Sequence, residues 1–526
     1  MDFNLSNLDF SIIIVYLILV ILVGFYFGKK HEDAEDYFLA GRNLTWPIIG
    51  FSLFASNMSS NSLVGLAGAG YKDGFSVYSY EWMAVVVLII FAVFFLPFYL
   101  KNKIFTIPEY LERRYGYAVR AYASIIAIVL NILVDISATL YAGGLVINLI
   151  FPQFELWQII LGLALIAGVY TISGGLSSVM YTDAAQAVIL ILGSTVITIY
   201  AYEAAGGWEA VKAITDPGHF KVLKPVDDEV LPWPAVFTGV LMIGFYFWGT
   251  NQYITQRTLA SRSVRHGQWG AMFAGFLKLS ILFIMIFPGA FARVLYPDMQ
   301  EMDMIYPTML FDLLPTGLLG LVLAGLIAAM MSSLDSGLNS VSTLVTMDFI
   351  HKFKPNMSSH QLMTIGRVIT TIVMALAILW APQIRHFEKL WDYLQNTLAW
   401  FCPPIVALFV MGIFSKKANN NGALASIIIG FLITAALIVA RALDIDSALP
   451  NFLYVATAHF LICCLALWAF SSKGAHKSVE ELANVVWTKK EFEEETIALR
   501  AEPVWYNYRY HGIALLVAVV IILLMY

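Results

Sequence analysis

Apolar runs of about 20 residues recur along the whole chain, and they constrain its fold more than any other feature. Each run is long enough to cross the roughly 30 Å hydrocarbon core of a bilayer as a helix. Hydrophobic residues make up 60% of the 526 residues and charged residues only 13%, which is far from the balance of a soluble domain. The sequence therefore predicts an all-α polytopic membrane protein with about 14 transmembrane helices. The predicted spans are residues 8–28, 47–70, 77–100, 120–150, 155–176, 182–204, 234–259, 267–295, 313–345, 360–382, 390–413, 419–440, 449–470 and 510–526.

The basic residues fall mostly on one side of this predicted membrane. With the N-terminus outside and the chain alternating through fourteen spans, 22 of the 31 Lys and Arg residues lie inside, as the positive-inside rule favours. We therefore expect both termini on the external side of a plasma or inner cell membrane. The chain begins MDFNLSNLDF, which lacks the basic segment of a signal peptide, so the first run is expected to be a retained span.

The sequence offers little for catalysis, nucleic-acid binding or a structural metal. Its three cysteines, Cys402, Cys463 and Cys464, all lie in apolar runs and predict neither a disulfide framework nor a metal site. No phosphate-binding glycine loop and no nucleophile with a neighbouring base is recognisable. The longest hydrophilic stretches are 205–232, predicted outside, and 471–509, predicted inside; the second favours a solvated amphipathic linker helix over a docking site for an obligate protein partner. These features favour a transporter over an enzyme.

One predicted span carries an unusual polar stripe. Ser332, Asp335, Ser336, Asn339 and Thr343 recur at helical spacing and so share one face of a helix. A carboxylate inside hydrocarbon costs on the order of several kcal/mol and is kept where it faces a cavity, an ion or a partner. Hydroxyls around one carboxylate suit a hard cation, which prefers oxygen ligands. Alternatively, the serines are small residues that allow close packing and hydrogen-bond across helices.

Two further spans are predicted to be interrupted. The span at 47–70 has six polar residues near its middle, Ser56, Asn57, Ser59, Ser60, Asn61 and Ser62, and such residues compete for backbone hydrogen bonds. The span at 234–259 reads GFYFWGTNQY, with Gly244 and Gly249 around aromatic residues. Non-helical backbone at membrane depth is tolerated only beside a cavity, an ion or a substrate. Two interrupted helices in corresponding positions favour an inverted-repeat transporter with its site near the bilayer midplane.

Several motifs carry a family resemblance from about Asp36 to Gly430. They are YTISGGLSS (170–178), the Gly412 to Gly430 segment, ASNMS (55–59), SYEW (79–82), YFWGTNQYITQRTL (246–259), FLKL (276–279), MSSL (331–334) and YLQ (393–395). The chain resembles the sodium/solute symporter family, most closely its sodium-glucose cotransporter branch. The resemblance implies a ten-helix, leucine-transporter-like core of two inverted repeats. It places an extra helix at 1–30, the first repeat at 47–204, the second at 234–413, and three extra helices at 414–526 with a cytoplasmic segment at 471–509.

The resemblance also implies cation sites. A sodium ion would bind the carbonyl or hydroxyl oxygens of Ala55, Met58, Ala329, Ser332 and Ser333, and such a neutral oxygen cage suits sodium. A possible second cation site maps to Asp183, Asp335 and Ser336. Asp335 stands where a hydroxyl residue is usual in the family, so this site would hold a proton or a more tightly bound sodium. The alternative is that Asp335 caps a helix or pairs with a cytoplasmic Arg or Lys.

The substrate positions implied by the resemblance mix charged, amide and aromatic side chains. They are Asn57, Ser62, Tyr80, Glu81, Phe247, Trp248, Lys278 and Gln395. Three residues depart from the branch: Ser62 is smaller than usual, Gly244 replaces Asn and Ala84 replaces Ser. The expected function is sodium-coupled import of a sugar, a substituted sugar or a polyol by alternating access. The alternatives are a sodium symporter of another solute, such as inositol, sialic acid, an amino acid or a carboxylate, and a membrane sensor or scaffold.

Overall fold

The computed structural model describes residues 5–27, 33–387, 390–443 and 449–526, with only the backbone described at residues 24, 25, 27 and 169–174. Within these residues the chain is helical and forms no β-strand. Ten helices among the described residues are long and apolar enough to cross a membrane. These are α3 (Gly74–Lys101), α4 (Tyr117–Ile150), α6 (Gly175–Ala204), α8 (Val264–Leu295), α9 (Leu318–Phe353), α10 (Ser359–His386), α11 (Leu390–Phe414), α12 (Asn420–Ala442), α13 (Phe452–Phe470) and α14 (Tyr508–Met525).

Four more helical stretches coincide with the remaining predicted spans. Two are shorter apolar helices, α1 (Asn7–Phe27) and α5, which occupies the first part of the continuous stretch Leu156–Ala204. That stretch bends at Gly175, whose positive φ of 55° suits a residue without a side chain. The other two are interrupted: α2 comprises Trp46–Asn57 and Ser60–Lys72, and α7 runs from Trp233 to Leu259 with a break near its end.

Short helices connect the spans at both surfaces. They are Ala34–Leu39, Ile107–Arg114, Gly207–Ile214, Ile305–Leu313, Val479–Leu482 and Lys489–Arg500. The predicted N-terminal segment 1–30 includes residues 1–4 and 28–30, which lie outside the described part of the chain, and so do the side chains of 170–174 in the YTISGGLSS motif.

The segment at 471–509 combines the surface helix that its sequence favours with a docked turn. Between its two short helices, Val485 and Val486 are buried. The Trp487 amide donates to the Ile413 carbonyl at 2.9 Å, and the Tyr110 hydroxyl donates to the Val485 carbonyl at 2.7 Å. Charged residues dominate this segment's composition, so its few apolar anchors were easy to overlook. The segment is therefore docked at residues 485–487, whereas its helix Lys489–Arg500 buries only Leu499, in keeping with the surface helix that the sequence favours.

Helix α9 lies at the centre of the molecule. Its side chains from Leu319 to Leu344 are almost all buried, and it packs against α1, α2, α4, α6 and α10. The polar stripe predicted on this helix is buried throughout. The stripe therefore faces protein and not lipid, as a carboxylate and hydroxyls at membrane depth require.

The start of α9 is held by α1. Asp9 is 1% exposed, and its Oδ1 atom accepts hydrogen bonds from the amides of Gly317 and Gly320, each at 2.7 Å. These are among the amide groups that a helix leaves unpaired at its N-terminus. A side chain at position 320 would bring its Cβ within 2.5 Å of the Asp9 Cα atom, so glycine allows the close approach. The additional N-terminal helix is thus part of the core's hydrogen bonding.

This contact predicts a stability difference between two substitutions. Asp9→Ala leaves two amides of α9 without an acceptor and should destabilise the protein by about 1–3 kcal/mol, the usual cost of unmet buried polar groups. Asp9→Asn keeps an oxygen acceptor and should lose less. Thermal unfolding of the purified protein in detergent compares the two, and equal midpoints for both variants would contradict the capping role.

Candidate functional site

The interruption predicted in α2 is confirmed. The helix ends at Asn57, and Met58 (φ −92°, ψ 74°) and Ser59 (φ −94°, ψ 178°) leave the helical region before Ser60 restarts it. Carbonyls freed there find side-chain donors: the Ser62 hydroxyl donates to the Asn57 carbonyl at 2.7 Å. Other peptide oxygens near the break lack an i→i+4 partner and can accept bonds from another helix or from an ion.

The break in α7 lies at Asn251, two residues beyond the glycine at 249 that the sequence suggested. Asn251 adopts an extended conformation (φ −75°, ψ 121°), and its Oδ1 atom accepts from the Tyr253 amide at 3.0 Å to cap the last segment of the helix. The preceding residues Tyr246–Thr250 form a widened, π-helical turn. Asn251 therefore starts the last helical segment as its N-cap, a signal that attention to glycines misses.

The polar stripe of α9 meets the break in α2. The Ser333 hydroxyl donates to the Ser56 carbonyl at 3.3 Å, and the Tyr253 hydroxyl donates to the same carbonyl at 2.6 Å. All five predicted sodium ligands are buried in this region of the protein: Ala55, Met58, Ala329, Ser332 and Ser333. The structure thus brings Ser333 of α9 to the α2 backbone at the break, whereas the Ser332 hydroxyl donates to Asp183 of α6.

Asp183 of α6 lies beside this junction at the centre of a hydrogen-bond network. Its carboxylate accepts from Ser52 at 2.5 Å, from Ser56 at 3.2 Å and from Ser332. It also forms an ion pair with Arg257 at 3.3 Å, and both side chains are almost completely buried. The predicted second cation site therefore already has a guanidinium next to one of its carboxylates.

Arg257 connects this network to the break in α7. It donates to the Ser52 hydroxyl at 3.0 Å, to the Ser336 hydroxyl and to the Tyr253 carbonyl. Sequence reasoning placed Arg257 among the inside basic residues and did not connect it to Asp183. The pairing could have been predicted from the position of Arg257 inside an apolar span, because a buried arginine needs an acidic partner. Asp335, the other predicted carboxylate, is fully buried on α9.

A cavity lies between the two broken helices, and all eight predicted substrate residues line it. They are Asn57, Ser62, Tyr80, Glu81, Phe247, Trp248, Lys278 and Gln395. The sequence missed other lining residues, notably Asn61, Asp135 and Trp391. Of the three departures from the family branch, Ser62 and Gly244 line the cavity, whereas Ala84 is buried elsewhere in α3.

Charge in the cavity is arranged around Lys278. Its ammonium group hydrogen-bonds to the Glu81 carboxylate and to the Asn57 side-chain oxygen, and it lies 5.1 Å from the centre of the Trp248 ring. The ammonium and the carboxylate are both buried. A paired, desolvated charge with an aromatic face on one side can orient a polar ligand through several directed bonds.

Three buried polar atoms on the cavity wall have no hydrogen-bond partner within the described part of the chain. They are Asn61 Oδ1, Gln395 Oε1 and Trp391 Nε1. Such groups are rare in folded proteins because each forfeits the hydrogen bonds it made to water. Tyr80 packs edge-on against Trp391, with ring centres 5.4 Å apart. The wall thus presents two acceptors and a donor beside aromatic faces, as a ligand rich in hydroxyl groups requires.

Comparison with known proteins identifies the family. Residues 37–430 match the model of the sodium:solute symporter family. The chain belongs to this family. It is 33% identical to sodium/glucose cotransporter 1 of Ovis aries over 94% of this chain and 83% of that protein. It is 35% identical to sodium/myo-inositol cotransporter 2 of Homo sapiens over 81% of this chain and 69% of that protein.

Solved structures give the symporter its fold class. A Na⁺-coupled sialic acid symporter in a substrate-bound outward-open state superposes with a TM-score of 0.80, at 24% identity over 90% of this chain and 99% of that one. Mhp1, a nucleobase-cation-symport-1 family transporter, superposes with a TM-score of 0.56 at 14% identity over 86% and 99%. These likenesses concern the fold alone. They confirm the predicted inverted-repeat fold of a multi-pass helical membrane protein.

The Asp183–Arg257 pair predicts non-additive stability effects in this symporter. Arg257→Ala leaves a buried carboxylate without its counter-charge and should destabilise the protein by about 3–5 kcal/mol. Asp183→Ala should be similarly harmful because it strands the guanidinium. The double variant removes both charges and should unfold at a higher temperature than the sum of the single effects predicts. Thermal unfolding of all three variants measures the coupling, and strictly additive losses would refute a direct pairing.

Proposed function

We propose that this symporter couples sodium entry to the import of a sugar or a sugar-like polyol by alternating access. The observation that carries the proposal is the cavity beside the α2 and α7 breaks, where a buried Glu81–Lys278 pair lies among unpartnered amide and indole groups. The names of its relatives, sodium/glucose and sodium/myo-inositol cotransporters, support the same substrate class. Transport, and not catalysis, is the activity that we assign.

The chemistry of the cavity suits hydroxyl groups. A sugar hydroxyl both donates and accepts, so Asn61 and Gln395 oxygens can accept from it while Lys278 and the Trp391 indole donate to it. Aromatic faces from Tyr80 and the α7 segment can cover the apolar C–H surface of a ring. Gly244 adds room on the α7 side, since a Cβ there would meet only Val87 at 3.4 Å. This space favours a substituted sugar or a polyol.

An acidic substrate is the second candidate, because the structural neighbour is a sialic acid symporter. A carboxylate ligand needs a cation that is available to it. Within the described residues that line the cavity, Lys278 is the basic side chain, and Glu81 already engages it. A neutral ligand is therefore favoured on electrostatic grounds.

For the coupling ion we propose the junction of α2 and α9. The carbonyls of Ala55, Met58 and Ala329 with the hydroxyls of Ser332 and Ser333 would form the cage, and hard oxygen donors without net charge suit sodium. The contact between Ser333 and the unwound α2 supports this assignment. Sodium binding would join α9 to the broken helix that also lines the cavity, which gives the ion a physical link to the substrate.

The second cation site implied by the family resemblance comprises Asp183, Asp335 and Ser336. Arg257 donates to both Asp183 and Ser336, so an ion there would lie beside a guanidinium. The repulsion between two positive charges in a low-dielectric interior favours Arg257 as the counter-charge of Asp183. We therefore assign the coupling ion to the serine cage first.

We further infer residence in a cell membrane with both termini external. The distribution of Lys and Arg over the predicted loops supports this orientation. The extra helix at 1–30, the repeats at 47–204 and 234–413, and the helices at 414–526 are the corresponding proposed parts. Sodium, a small solute and the lipid bilayer are the proposed partners.

The sodium cage predicts a selective effect of one hydroxyl. Ser333→Ala removes one oxygen of about five and should weaken sodium binding by about 1–3 kcal/mol, or roughly 5- to 150-fold in the half-saturating sodium concentration of uptake. Substrate selectivity should change less. Ser340→Ala is the matched control, because Ser340 is a fully buried serine on the same helix, two turns further along. Identical sodium titration curves for Ser333→Ala and wild type would refute the cage.

The Glu81–Lys278 pair predicts loss of substrate binding. Glu81→Ala and Lys278→Ala should each abolish uptake of a polyhydroxylated substrate while the protein stays responsive to sodium. The double variant tests whether the pair is only structural: removing both charges should restore stability relative to either single variant. We expect the double variant to stay inactive. Recovery of transport together with stability would show that the pair does not contact the substrate.

A further inference from the structure

Asp135 is a buried carboxylate for which the proposed sugar and sodium sites provide no role. It lies in the π-helical turn Asn131–Ile136 at the middle of α4 and lines the cavity, with 8% of its surface exposed. Among the described residues, no ion pair includes Asp135, whereas Glu81 and Asp183 each have a basic partner. When Asp135 is ionised, the cavity carries one negative charge in excess, and a carboxylate at this depth is costly without a cation.

Amide groups surround the same carboxylate. The side chain of Asn251, at the break in α7, lies next to Asp135. Asn131 lies one turn earlier on α4, is 0% exposed, and donates to the Ala127 carbonyl at 2.7 Å and to Asn251 Oδ1 at 3.4 Å. Its own Oδ1 atom has no hydrogen-bond partner in the part of the chain that the structure describes. The Tyr246 hydroxyl, which interacts electrostatically with Asp135, is likewise buried without a partner there.

The enclosure of Asn131 shows that its partner is not the substrate in the cavity. Asn131 is fully enclosed and does not line the cavity, so a sugar in the cavity cannot satisfy its oxygen. Its oxygen therefore requires a partner as small as a water molecule or an ion. Of these, an ion also neutralises the excess charge, and the available donors (a carboxylate, an amide oxygen and a hydroxyl) are the hard oxygen ligands that sodium prefers.

We propose that Asp135 and Asn131, at the α7 break, form a sodium site beside the substrate cavity. It lies between α4 and α7, and it is separate from the serine cage between α2 and α9. Loading this site makes the cavity electrically neutral, because Glu81 and Lys278 already compensate each other. The proposal rests on the assigned sodium-coupled function only in naming sodium as the cation.

Equilibrium binding of radiolabelled sodium to the full-length protein in lipid nanodiscs, without any sugar, tests the site directly. Asp135→Asn keeps the shape of the side chain and removes its charge, and it should bind one sodium ion fewer per protein than wild type at saturation. Ser333→Ala should weaken binding of a different sodium ion, the one in the serine cage. The double variant should therefore show both the lower sodium count and the weaker binding. Asp135→Glu should restore part of the binding that Asp135→Asn loses.

Two results would overturn the proposal. One is an Asp135→Asn variant that binds as many sodium ions as wild type, which would assign water to the site. The other is loss of a pH-dependent proton uptake in that variant with an unchanged sodium count, which would assign a proton. Asn131→Ala keeps the carboxylate and should weaken sodium binding at least 5-fold, so it tests the site if Asp135→Asn folds poorly. Because the assay contains no sugar, failure of wild-type sugar uptake would refute the proposed function without affecting this count.

Discussion

Polar groups inside a bilayer must find their partners within the protein, and in this symporter they find them around α9. The helix is polar along one face and buried on all sides, so each group on that face needs a donor or acceptor from a neighbouring helix. Asp9 of α1 accepts from an amide at the start of α9, and Asp183 of α6 accepts from Ser332 in the middle of α9. Near the end of α9, Asp348 forms an ion pair with Arg120 at 2.6 Å. Helices α1, α4 and α6, which lie far from α9 in the sequence, are therefore all bonded to α9.

The same requirement explains where the two breaks lie. Unwinding α2 and α7 releases carbonyls and amides that lipid cannot satisfy. The breaks are tolerated because side chains from the opposite repeat reach them. Tyr253 of α7 donates to the Ser56 carbonyl of α2, and Ser333 of α9 donates to the same carbonyl. Three buried polar atoms without a partner among the described residues, on Asn61, Trp391 and Gln395, lie at the cavity wall. The cavity wall is thus one place where internal pairing is incomplete.

Charges in this core occur in two kinds of environment. Asp183 with Arg257 and Glu81 with Lys278 are compensated pairs, in which each charge reduces the cost of burying the other. Asp135 has amide neighbours and no basic partner among the described residues. A compensated pair can serve as a permanent part of the architecture. An uncompensated carboxylate beside a cavity can instead bind a cation reversibly, and ion coupling requires reversible binding.

Much of the architecture follows from the sequence by itself. Span length and hydropathy predicted the membrane helices, because each span must satisfy its backbone internally over a fixed thickness. The polar run at 56–62 predicted the break in α2, and motif resemblance named eight of the residues that line the cavity. The polar stripe of α9 was also readable, since helical spacing alone puts those residues on one face.

Only the tertiary structure decided how distant groups pair. The ion pair of Asp183 with Arg257 joins residues that are 74 positions apart, and the Asp9 cap spans more than 300 positions. Spacing along one helix carries no information about such contacts. The docking of Val485 and the cluster of Asn131, Asp135 and Asn251 were missed for the same reason. Local propensity and periodicity act within one helix, whereas the partner of a buried charge is set by which helices pack together.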